Sequence, residues 1–596
     1  MSVPEKFGQE LIKFVRREQS VELEQQVATS LLHRRALVAL GYAIEGLSVV
    51  SITNDGVILS CASNESRFRV SDHLTFELDG KKSFRGILTG FAQGGRELQI
   101  AVEDRLPDAE SGPWFATENS VNLANLVIGA LEKLQPGGAG WGLVIQLSGI
   151  PQPALPALPP LRSLPTDLSL LYQQMVEDSG RQLDGSQQAA LHRCLTQPPI
   201  LGVQGPPGTG KTTLLGFVAE ALVRMDRQIV ILAFTHQAVN TALSEIHSIF
   251  PHRRVVKVGD ELRTDSLSNE IEIIGDARVL RGLPPDTIVG MTYMASLQRL
   301  MVRDNRPLNP HVVIIDEAGQ LPLAQGITAG LCGAGSVLLF GDDRQMPPVF
   351  SSNLSEEPLA ISIFAQLRRS RPEAILMLDT TYRMNQDLCQ VVGSAFYSDG
   401  AIPLQPAPVA RDRRLDGQFA DRAATAIVRQ ALSPDKSLVW LKVNTQKYMQ
   451  ANPEEASAVV DILHSCLQAG MMGKEVAVVT PFRRQAMLIR NLLSQVLGED
   501  AELPIIDTVE RVQGTTVDLV VVSFCASQPD YVTSLANFLF SPNRLNVAAS
   551  RARRKAIVVS SPDLFSGQPL DHQGIVGRNR CRSLLEQAYP IMVPGG

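Results

Sequence analysis

The stretch ILGVQGPPGTGKTT (residues 200–213) decides the fold of this 596-residue chain. A strand-like run leads directly into the pattern G-x-x-x-x-G-K-T, which comprises Gly205, Gly210, Lys211 and Thr212. This pattern predicts a buried strand, a loop whose backbone N–H groups surround phosphates, and a helix start. The Lys211 ammonium would reach the β- and γ-phosphates, and the Thr212 hydroxyl would be a Mg²⁺ ligand. The predicted nucleotide-binding residues of the loop are Gly205, Pro206, Pro207, Gly208, Thr209, Gly210, Lys211, Thr212 and Thr213.

Two later strand-like runs end in polar residues that suit chemistry on a bound phosphate. The run VVIIDE (312–317) closes with Asp316 and Glu317, and the run VLLFGD (337–342) is soon followed by Gln345. Ligands of parallel sheets bind at the carboxyl ends of the strands, so Asp316 is the predicted Mg²⁺ ligand and Glu317 the predicted general base for the attacking water. The neutral amide of Gln345 suits a sensor of the γ-phosphate because it does not compete for the metal.

Mostly β-branched runs alternate with helical stretches in two series, which predicts an α/β protein with two parallel sheets covered on both faces. Ahead of them, helical spacing of apolar residues gives way to short alternating runs broken by turn residues, which predicts helices around a small antiparallel barrel. The predicted domains are a helical stalk plus barrel at 1–150 (barrel at about 46–104), a proline-rich linker at 151–165, a first α/β domain at 166–352 with a helical insertion at about 241–306, and a second α/β domain at 353–596.

The composition indicates a folded protein without a general affinity for polyanions. Lys and Arg total 55 against 61 Asp and Glu, a net charge of −6, so any nucleic-acid site must be local. The segment 541–560 holds five basic residues and no acid, which fits either such a site or an exposed basic helix. Seven scattered cysteines favour neither a zinc module nor disulfides. The charged first twenty residues do not resemble a signal peptide, so we expect a cytoplasmic protein with no membrane partner.

The second series carries arginines where the first carries carboxylates. The segment TTYRM supplies Tyr382 and Arg383, TVERVQG supplies Gln513 and Gly514, and the basic segment supplies Arg551. An arginine from the second domain that reached a γ-phosphate bound by the first would act as an arginine finger, worth about 10³ to 10⁵ in rate.

The ordered motifs GPPGTGKT, IIDEAGQ, GDDRQMPP, YRM, VQG and RLNVAASRAR resemble superfamily 1 helicases of the nonsense-mediated-decay and immunoglobulin-mu-binding type. The resemblance covers residues 183–561, and the helices and barrel before the phosphate loop resemble that family more loosely. It implies two RecA-like P-loop domains in tandem, the cofactors ATP and Mg²⁺, and 5′ to 3′ movement on single-stranded DNA or RNA by nucleic-acid-stimulated ATP hydrolysis. We expect a monomer whose stalk and barrel bind any protein partners.

The resemblance also implies roles for individual residues. Gln187 in LDGSQ matches the adenine-recognising glutamine, and Tyr382 would stack on the adenine. Arg383 and Arg551 would contact the γ-phosphate, and Gly514 in VQG joins the nucleotide-binding residues.

The sequence departs from the family pattern at two motifs. AFTHQAVN (233–240) stands where the family has a Pro-Ser-Asn motif that contacts the nucleic-acid backbone, with Thr235 and His236 at the matching positions. His236 is therefore either a strand contact or a structural residue. Thr516 replaces the acidic residue that follows the glycine of VQG, so the coupling of hydrolysis to movement is expected to differ in detail.

Other functions stay open on the residues alone. An ATP-gated clamp or nucleoprotein remodeller would bind nucleic acid without processive unwinding, and the second α/β unit lacks a large insertion that could act as a wedge. A P-loop enzyme acting on a small molecule, such as a kinase, is a further alternative, although the arginine motifs argue against it. A helicase–nuclease fusion is not expected, because about 35 residues follow the last predicted strand.

Overall fold

The computed structural model of the chain contains a helix and barrel followed by two parallel α/β domains. The structure describes residues 1–596 except 54–55, 65, 69–71, 79–81, 93–94, 109–111, 119–122, 152, 154–165, 262, 276–281, 304–307, 352–353, 355–356, 399–402, 499–500, 513, 570 and 594–596. Most of the proline-rich linker predicted at 151–165 therefore lies outside the described residues.

The amino-terminal region packs a long helix and a barrel ahead of the phosphate loop. Its elements are α1 (Val3–Ser30), α2 (Arg34–Ala39), β1 (Ala43–Ile52), β2 (Gly56–Ser60), β3 (His73–Leu78), β4 (Lys82–Ala92), β5 (Glu97–Val102), β6 (Trp114–Glu118), α3 (Ala124–Lys133) and α4 (Trp141–Leu147). Helix α1 begins with a capping box in which Ser2 and Glu5 satisfy each other's backbone N–H groups. Its buried residues Leu11 and Phe14 belong to the core of the first α/β domain, which docks the helix on that domain.

The barrel is closed and fully antiparallel, in the strand order β1-β2-β5-β4-β3-β6. Alternate side chains fill its interior, where the ring of Phe84 stacks on Phe76 at 4.4 Å and meets Trp114 edge-on at 5.0 Å. The barrel extends beyond the predicted range of 46–104 because β6 pairs with both β1 and β3 and closes it.

The first α/β domain surrounds an eight-stranded parallel sheet. Its elements are α5 (Thr166–Ser179), α6 (Gly185–Leu195), β7 (Ile200–Gln204), α7 (Lys211–Arg224), β8 (Ile229–Ala233), α8 (His236–Ile249), β9 (Val255–Val258), β10 (Glu272–Ile274), β11 (Ile288–Thr292), α9 (Tyr293–Gln298), β12 (Val312–Asp316), α10 (Leu323–Gly326), β13 (Ser336–Gly341), α11 (Ile363–Ser370) and β14 (Ile375–Met377). The strand order is β10-β9-β11-β8-β12-β13-β7-β14. Every residue of β7, β8 and β11 to β13 is buried, as expected for a parallel sheet covered on both faces.

Two predictions about this domain were wrong. Residues 241–306 do not form a helical insertion, because β9, β10 and β11 all join the central sheet and the described part of the segment between α8 and α9 contains no α-helix. The first sheet also extends beyond residue 352, because β14 pairs with β7 in parallel. At three residues, β14 is shorter than the apolar runs that mark the other strands in the sequence.

The second α/β domain surrounds a six-stranded parallel sheet. Its elements are β15 (Thr380–Thr381), α12 (Gln386–Phe396), β16 (Gln405–Pro406), α13 (Pro408–Arg411), α14 (Gly417–Asp421), α15 (Ala426–Leu432), β17 (Leu438–Val443), α16 (Pro453–Gln468), β18 (Val476–Thr480), α17 (Arg483–Leu497), β19 (Ile505–Thr508), α18 (Val509–Val512), β20 (Val517–Ser523), α19 (Pro529–Ser534), α20 (Ala536–Leu539), α21 (Pro542–Ala549), β21 (Ala552–Ser560), α22 (His572–Glu586) and β22 (Tyr589–Val593). The strand order is β19-β18-β20-β21-β17-β22. The predicted fold class, with two tandem P-loop α/β domains, is confirmed.

The seven cysteines are all buried and unpaired. Among the described residues, no helix is both long and apolar enough to cross a lipid bilayer. The same residues contain no group of three or more His, Cys, Asp or Glu side chains arranged to hold a metal ion by themselves.

We expect Phe84→Ala to lower the free energy of unfolding of the barrel by about 3–5 kcal/mol, because it removes a buried ring and leaves a cavity between Phe76 and Trp114. Urea unfolding followed by tryptophan fluorescence measures the change. Phe91→Ala on the same strand is the matched control, because the Phe91 side chain is 38% exposed, and it should cost below about 1 kcal/mol. Equal destabilisation by both variants would contradict this description of the barrel core.

Candidate active site

Strand β7 delivers the glycine-rich loop to the carboxyl edge of the first sheet, and helix α7 starts directly after it at Lys211. Gly208 and Gly210 have φ angles of +73° and +70°, in the left-handed region that favours glycine. The Thr209 hydroxyl donates a hydrogen bond to the Pro206 carbonyl at 2.8 Å, which closes the loop on itself. The loop thus has the turned backbone that binding of a phosphate requires.

The segment that contains the YRM motif packs directly on this loop. The Tyr382 N–H donates to the Gly208 carbonyl at 2.7 Å, and the Thr381 hydroxyl donates to the Pro207 carbonyl at 2.8 Å. A Cβ on Gly208 would lie 2.3 Å from the Arg383 Cβ, so glycine is required there by close contact as well as by φ. The chain that leads into the second domain is therefore attached to the phosphate loop of the first.

Lys211 pairs with both carboxylates that the sequence predicts for the site. Its Nζ lies 2.5 Å from Asp316 Oδ1 and 3.1 Å from Glu317 Oε1. Burial lowers the pKa of Lys211, but the two carboxylates outweigh it and the net pKa is raised. Burial raises the pKa of Asp316. Burial also acts to raise the pKa of Glu317, but the charge and hydrogen bond of Lys211, together with Gln320 and Arg551, outweigh it and the net pKa is lowered. Glu317 is thus kept ionised, as a base must be.

The turn after β12 is strained and tightly packed. Glu317 has a φ of +52°, which is unusual for a residue with a side chain, and its N–H donates to Asp316 Oδ1 at 2.8 Å. A Cβ on Gly319 would lie 2.5 Å from the Asp342 carbonyl oxygen, so this turn is in contact with the one after β13. Strained residues of this kind cluster at functional sites, where the surrounding structure holds them.

Gln345 joins the two domains. Its Nε2 donates to Asp342 Oδ2 at 2.8 Å within the first domain, and its Oε1 accepts from Nη2 of Arg551, in the second domain, at 3.2 Å. Arg551 is almost fully buried, and burial lowers its pKa to about 10 although Glu317 partly offsets this. A buried arginine from the second domain therefore reaches the sensor position of the first.

The other end of the site is formed by Gln187 and Tyr382. The Gln187 amide is already engaged: its Oε1 accepts from the Asp184 N–H at 3.0 Å and its Nε2 donates to the Thr209 carbonyl at 2.9 Å. The Tyr382 hydroxyl donates to Asp184 Oδ2 at 2.9 Å, and the residue as a whole remains 37% exposed. Tyr382 is thus accessible from the cleft, whereas Gln187 caps helix α6 and supports the phosphate loop.

The remaining predicted residues lie around these groups. Arg383 donates from Nη1 to the Ser550 carbonyl at 3.0 Å, and burial, followed by repulsion from Arg551, holds its pKa well below the usual range. The Thr213 hydroxyl donates to Glu245 Oε1 at 3.0 Å. Gly514 has a φ of +86°, and Gln513 lies outside the described residues.

All of these predicted residues line one cleft of about 1500 Å³ between the two domains. The predicted residues that line it are Gln187, Gly205, Pro206, Pro207, Gly208, Thr209, Gly210, Lys211, Thr212, Thr213, Asp316, Glu317, Gln345, Tyr382, Arg383, Gly514 and Arg551. The structure therefore brings together residues that are as far as 364 positions apart in the sequence (187 to 551). Their individual roles stay predictions.

Comparisons with known proteins agree with this arrangement. Residues 182–384 and residues 359–563 each match an AAA domain family. The chain is 27% identical over 408 residues to the DNA replication ATP-dependent helicase/nuclease JHS1 of Arabidopsis thaliana, covering 66% of this chain and 29% of that protein. It is 25% identical over 409 residues to the DNA replication ATP-dependent helicase/nuclease DNA2 of Xenopus laevis, covering 64% and 37%. Over its two α/β domains the chain is therefore similar to ATP-dependent DNA replication helicases.

The chain spans about a third of the length of these two relatives. A solved complex of the arterivirus nonstructural protein 10 (helicase) with DNA overlaps 63% of this chain and 62% of that one at 13% identity, with a TM-score of 0.33.

The chain has a second cavity, of about 940 Å³, between the barrel and the second domain. Its walls combine aromatic and basic side chains; they include Arg67, Lys447, Tyr448, Phe482, Arg483, Arg484, Arg511 and Phe538. Arg483 connects the two sides by donating from Nη1 to the Ser66 carbonyl at 3.1 Å, and the Phe482 ring stacks on Phe538 at 5.5 Å. We call this cavity the barrel groove.

Sequence reasoning missed the barrel groove. The available signal was TPFRRQ (480–485), which follows strand β18 at the carboxyl edge of the second sheet and places an aromatic residue beside two arginines. The Arg67 side of the groove had no such signal, because it depends on how the barrel packs against the second domain.

Thr235 and His236 lie at the start of helix α8, where the Thr235 hydroxyl accepts from the Ala238 N–H at 3.2 Å. Thr235 lines the nucleotide cleft and is exposed. Burial, followed by the charges of Arg263 and Lys257, lowers the pKa of His236 to about 4. At neutral pH His236 is therefore uncharged and would not attract a phosphate as a cation.

We expect Glu317→Gln to lower the turnover number for ATP hydrolysis at least about 100-fold, because the amide keeps the shape of the side chain but cannot accept a proton from water. Lys211→Ala should have an effect of similar size, because it removes the cation that contacts the phosphates. Steady-state ATPase assays at saturating ATP measure both.

The matched control is Glu272→Gln, at an exposed position in an edge strand where Glu272 pairs with Arg254 at 2.8 Å. It should keep wild-type turnover. Wild-type turnover in Glu317→Gln, with unchanged thermal stability, would exclude Glu317 as the base.

Proposed function

We propose that this chain is an ATP-driven translocase and helicase that moves 5′ to 3′ along single-stranded DNA. The observation that supports it most is the cleft in which Lys211, Asp316 and Glu317 of one domain face Arg551 of the other. A γ-phosphate between them would be contacted from both domains, so its loss on hydrolysis would change how the domains are held together. The motif resemblance supports the 5′ to 3′ direction, and the relatives named as DNA replication helicases support DNA.

The geometry supports different roles for different residues in the hydrolysis step. An arriving triphosphate would replace the carboxylates as the partner of the Lys211 ammonium and so free Glu317 to accept a proton from water. Arg383 and Arg551 would balance the charge that develops on the γ-phosphate oxygens. Gln345 would couple the presence of that phosphate to the second domain through its hydrogen bond with Arg551.

Thr212 and Asp316 have the donor chemistry for Mg²⁺, since hydroxyl and carboxylate oxygens suit this hard cation and both residues line the cleft beside Lys211. When bound there, the ion neutralises charge on the β- and γ-phosphate oxygens.

The barrel groove suits a single strand of nucleic acid. Phe482 and Tyr448 provide aromatic faces on which bases can stack, and Arg67, Arg484 and Arg511 provide positive charge for the phosphate backbone. Arg511 also lines the nucleotide cleft, so a strand in the groove would lie next to the site of hydrolysis. This combination supports binding to single strands with little preference for base sequence.

We expect Arg484→Ala to weaken binding to a single-stranded oligothymidine and to reduce the slope of log K against log salt by about 0.7, the contribution of one phosphate contact. Fluorescence anisotropy over a salt series measures both. Arg582→Ala is the matched control: it removes an exposed arginine that pairs with Glu586, outside the groove, and should leave the slope unchanged. An unchanged slope for Arg484→Ala would exclude contact with the strand there.

We expect the chain to unwind a duplex that carries a 5′ single-stranded tail faster than the same duplex with a 3′ tail. A fluorescent strand-displacement assay, run beside ATPase assays with matched DNA and RNA, measures it. Preference for the 3′ tail would contradict the direction. ATPase stimulation without strand separation would favour the clamp or remodeller, and a lack of stimulation by either nucleic acid would favour a small-molecule enzyme.

A further inference from the structure

Tyr397 is a fully buried tyrosine that none of the motifs includes. It follows helix α12 and packs within the core of the second domain, with 1% of its surface exposed. Its hydroxyl nevertheless reaches out of that core and donates to Asp342 Oδ2, in the first domain, at 2.5 Å. A buried hydrogen bond to a carboxylate is among the stronger neutral-to-charged contacts in proteins.

The protonation state of Tyr397 is suited to this contact. Burial, reinforced by the negative charge of Asp342, holds the pKa of the Tyr397 hydroxyl well above its usual range. The hydroxyl therefore stays protonated and donates to the carboxylate. Its oxygen at the same time accepts from Nδ2 of the fully buried Asn546 at 2.7 Å.

These contacts complete a closed ring of interactions between the domains. Asn546 lies on helix α21, and Arg551 follows the end of that helix and donates from Nε to the Val547 carbonyl within it at 3.0 Å. Arg551 then donates to Gln345 at 3.2 Å, and Gln345 donates to Asp342 at 2.8 Å. The ring thus crosses the domain boundary twice, once through Arg551 and once through Tyr397.

The ring also fixes the backbone of the loop at residues 342–345, which follows β13 and which we call the sensor loop after the predicted role of Gln345. Asn546 Nδ2 donates to the Arg344 carbonyl at 2.9 Å, and Asn543 Nδ2 donates to the Asp343 carbonyl at 3.0 Å. Helix α21 therefore contacts the loop that carries Gln345 along its length, and Tyr397 bridges the helix to the carboxylate at the start of the loop.

We propose that Tyr397 is a positioning residue for ATP hydrolysis: its hydroxyl holds helix α21 against Asp342 and so fixes the separation at which Gln345 and Arg551 meet the γ-phosphate. The inference rests on the proposed ATP hydrolysis in the interdomain cleft. Tyr397 does not line that cleft, so it acts through Asp342 and Asn546 rather than on the nucleotide.

The test is Tyr397→Phe, which keeps the buried ring and removes only the hydroxyl. We expect the turnover number with saturating single-stranded DNA to fall about tenfold, equivalent to about 1.4 kcal/mol. The KM for ATP should change less than about twofold, because the phosphate loop and Tyr382 lie outside the ring. A purely structural tyrosine would lower thermal stability without this split between turnover and KM.

Tyr293→Phe is the matched control. Tyr293 is also buried and its hydroxyl also has a side-chain partner, since it accepts from the Thr328 hydroxyl at 3.2 Å, but it lies within the first domain. It should keep wild-type turnover. Asn546→Ala should reproduce the effect of Tyr397→Phe, and the two losses should not add in the double variant because both break the same connection.

Wild-type turnover in Tyr397→Phe would overturn the inference, and so would additive losses in the double variant. A tenfold loss in Tyr293→Phe would also overturn it, because the effect would then follow from any buried hydroxyl. A wild-type chain without DNA-stimulated ATP hydrolysis would contradict the proposed function itself, and this is measured first, so the two failures are distinguishable.

Discussion

The contact of Lys211 with Asp316 and Glu317 is the interaction on which the site depends. It exists because β7, β13 and β12 are neighbours in a parallel sheet, so their carboxyl ends deliver the glycine-rich loop and the acidic turn to one edge. Asp316 is buried there, and the partly buried Lys211 and Glu317 are in close contact around it, so the three charges compensate one another. In the proposed function a triphosphate would replace the carboxylates as the partner of the ammonium, so this pairing holds the Lys211 side chain where the ligand would need it.

The second domain contributes positive charge to the cleft, from arginines that lack a full counter-charge. Arg551 is buried and Arg383 is partly buried, and both have lowered pKa values. Arg383 has no carboxylate within ion-pair distance in the described structure, and Arg551 is bonded to the neutral amide of Gln345. Buried cations without a full counter-charge are costly, and an anion that enters the cleft relieves that cost. The net charge of −6 therefore conceals a local arrangement in which acidic residues of the first domain and basic residues of the second line the same cleft.

The sequence was informative wherever function depends on local geometry. The phosphate loop could be predicted because left-handed glycines, a preceding strand and a following helix are all encoded within residues 200–213. The sequence was not informative where long-range packing determines the structure. Strands β9 and β10 are too short to be distinguished within a polar segment, so the predicted helical insertion there was wrong. Gln187 shows the same limit, since its match to a motif did not reveal that its amide already supports Thr209.

A chain of side-chain contacts connects the nucleotide cleft with the barrel groove, where the proposed function places the bound strand. Helix α18 lies between them, and Glu510 and Arg511 line both cavities. Glu510 pairs with Arg544 of helix α21 at 2.7 Å, and the Arg544 guanidinium lies 3.8 Å over the ring of Phe538 in the groove wall. Helix α21 thus contacts the sensor loop at Asn546 and the groove wall through Arg544. A shift of helix α21 on loss of the γ-phosphate would therefore reach the groove wall directly, through the contact of Arg544 with Phe538.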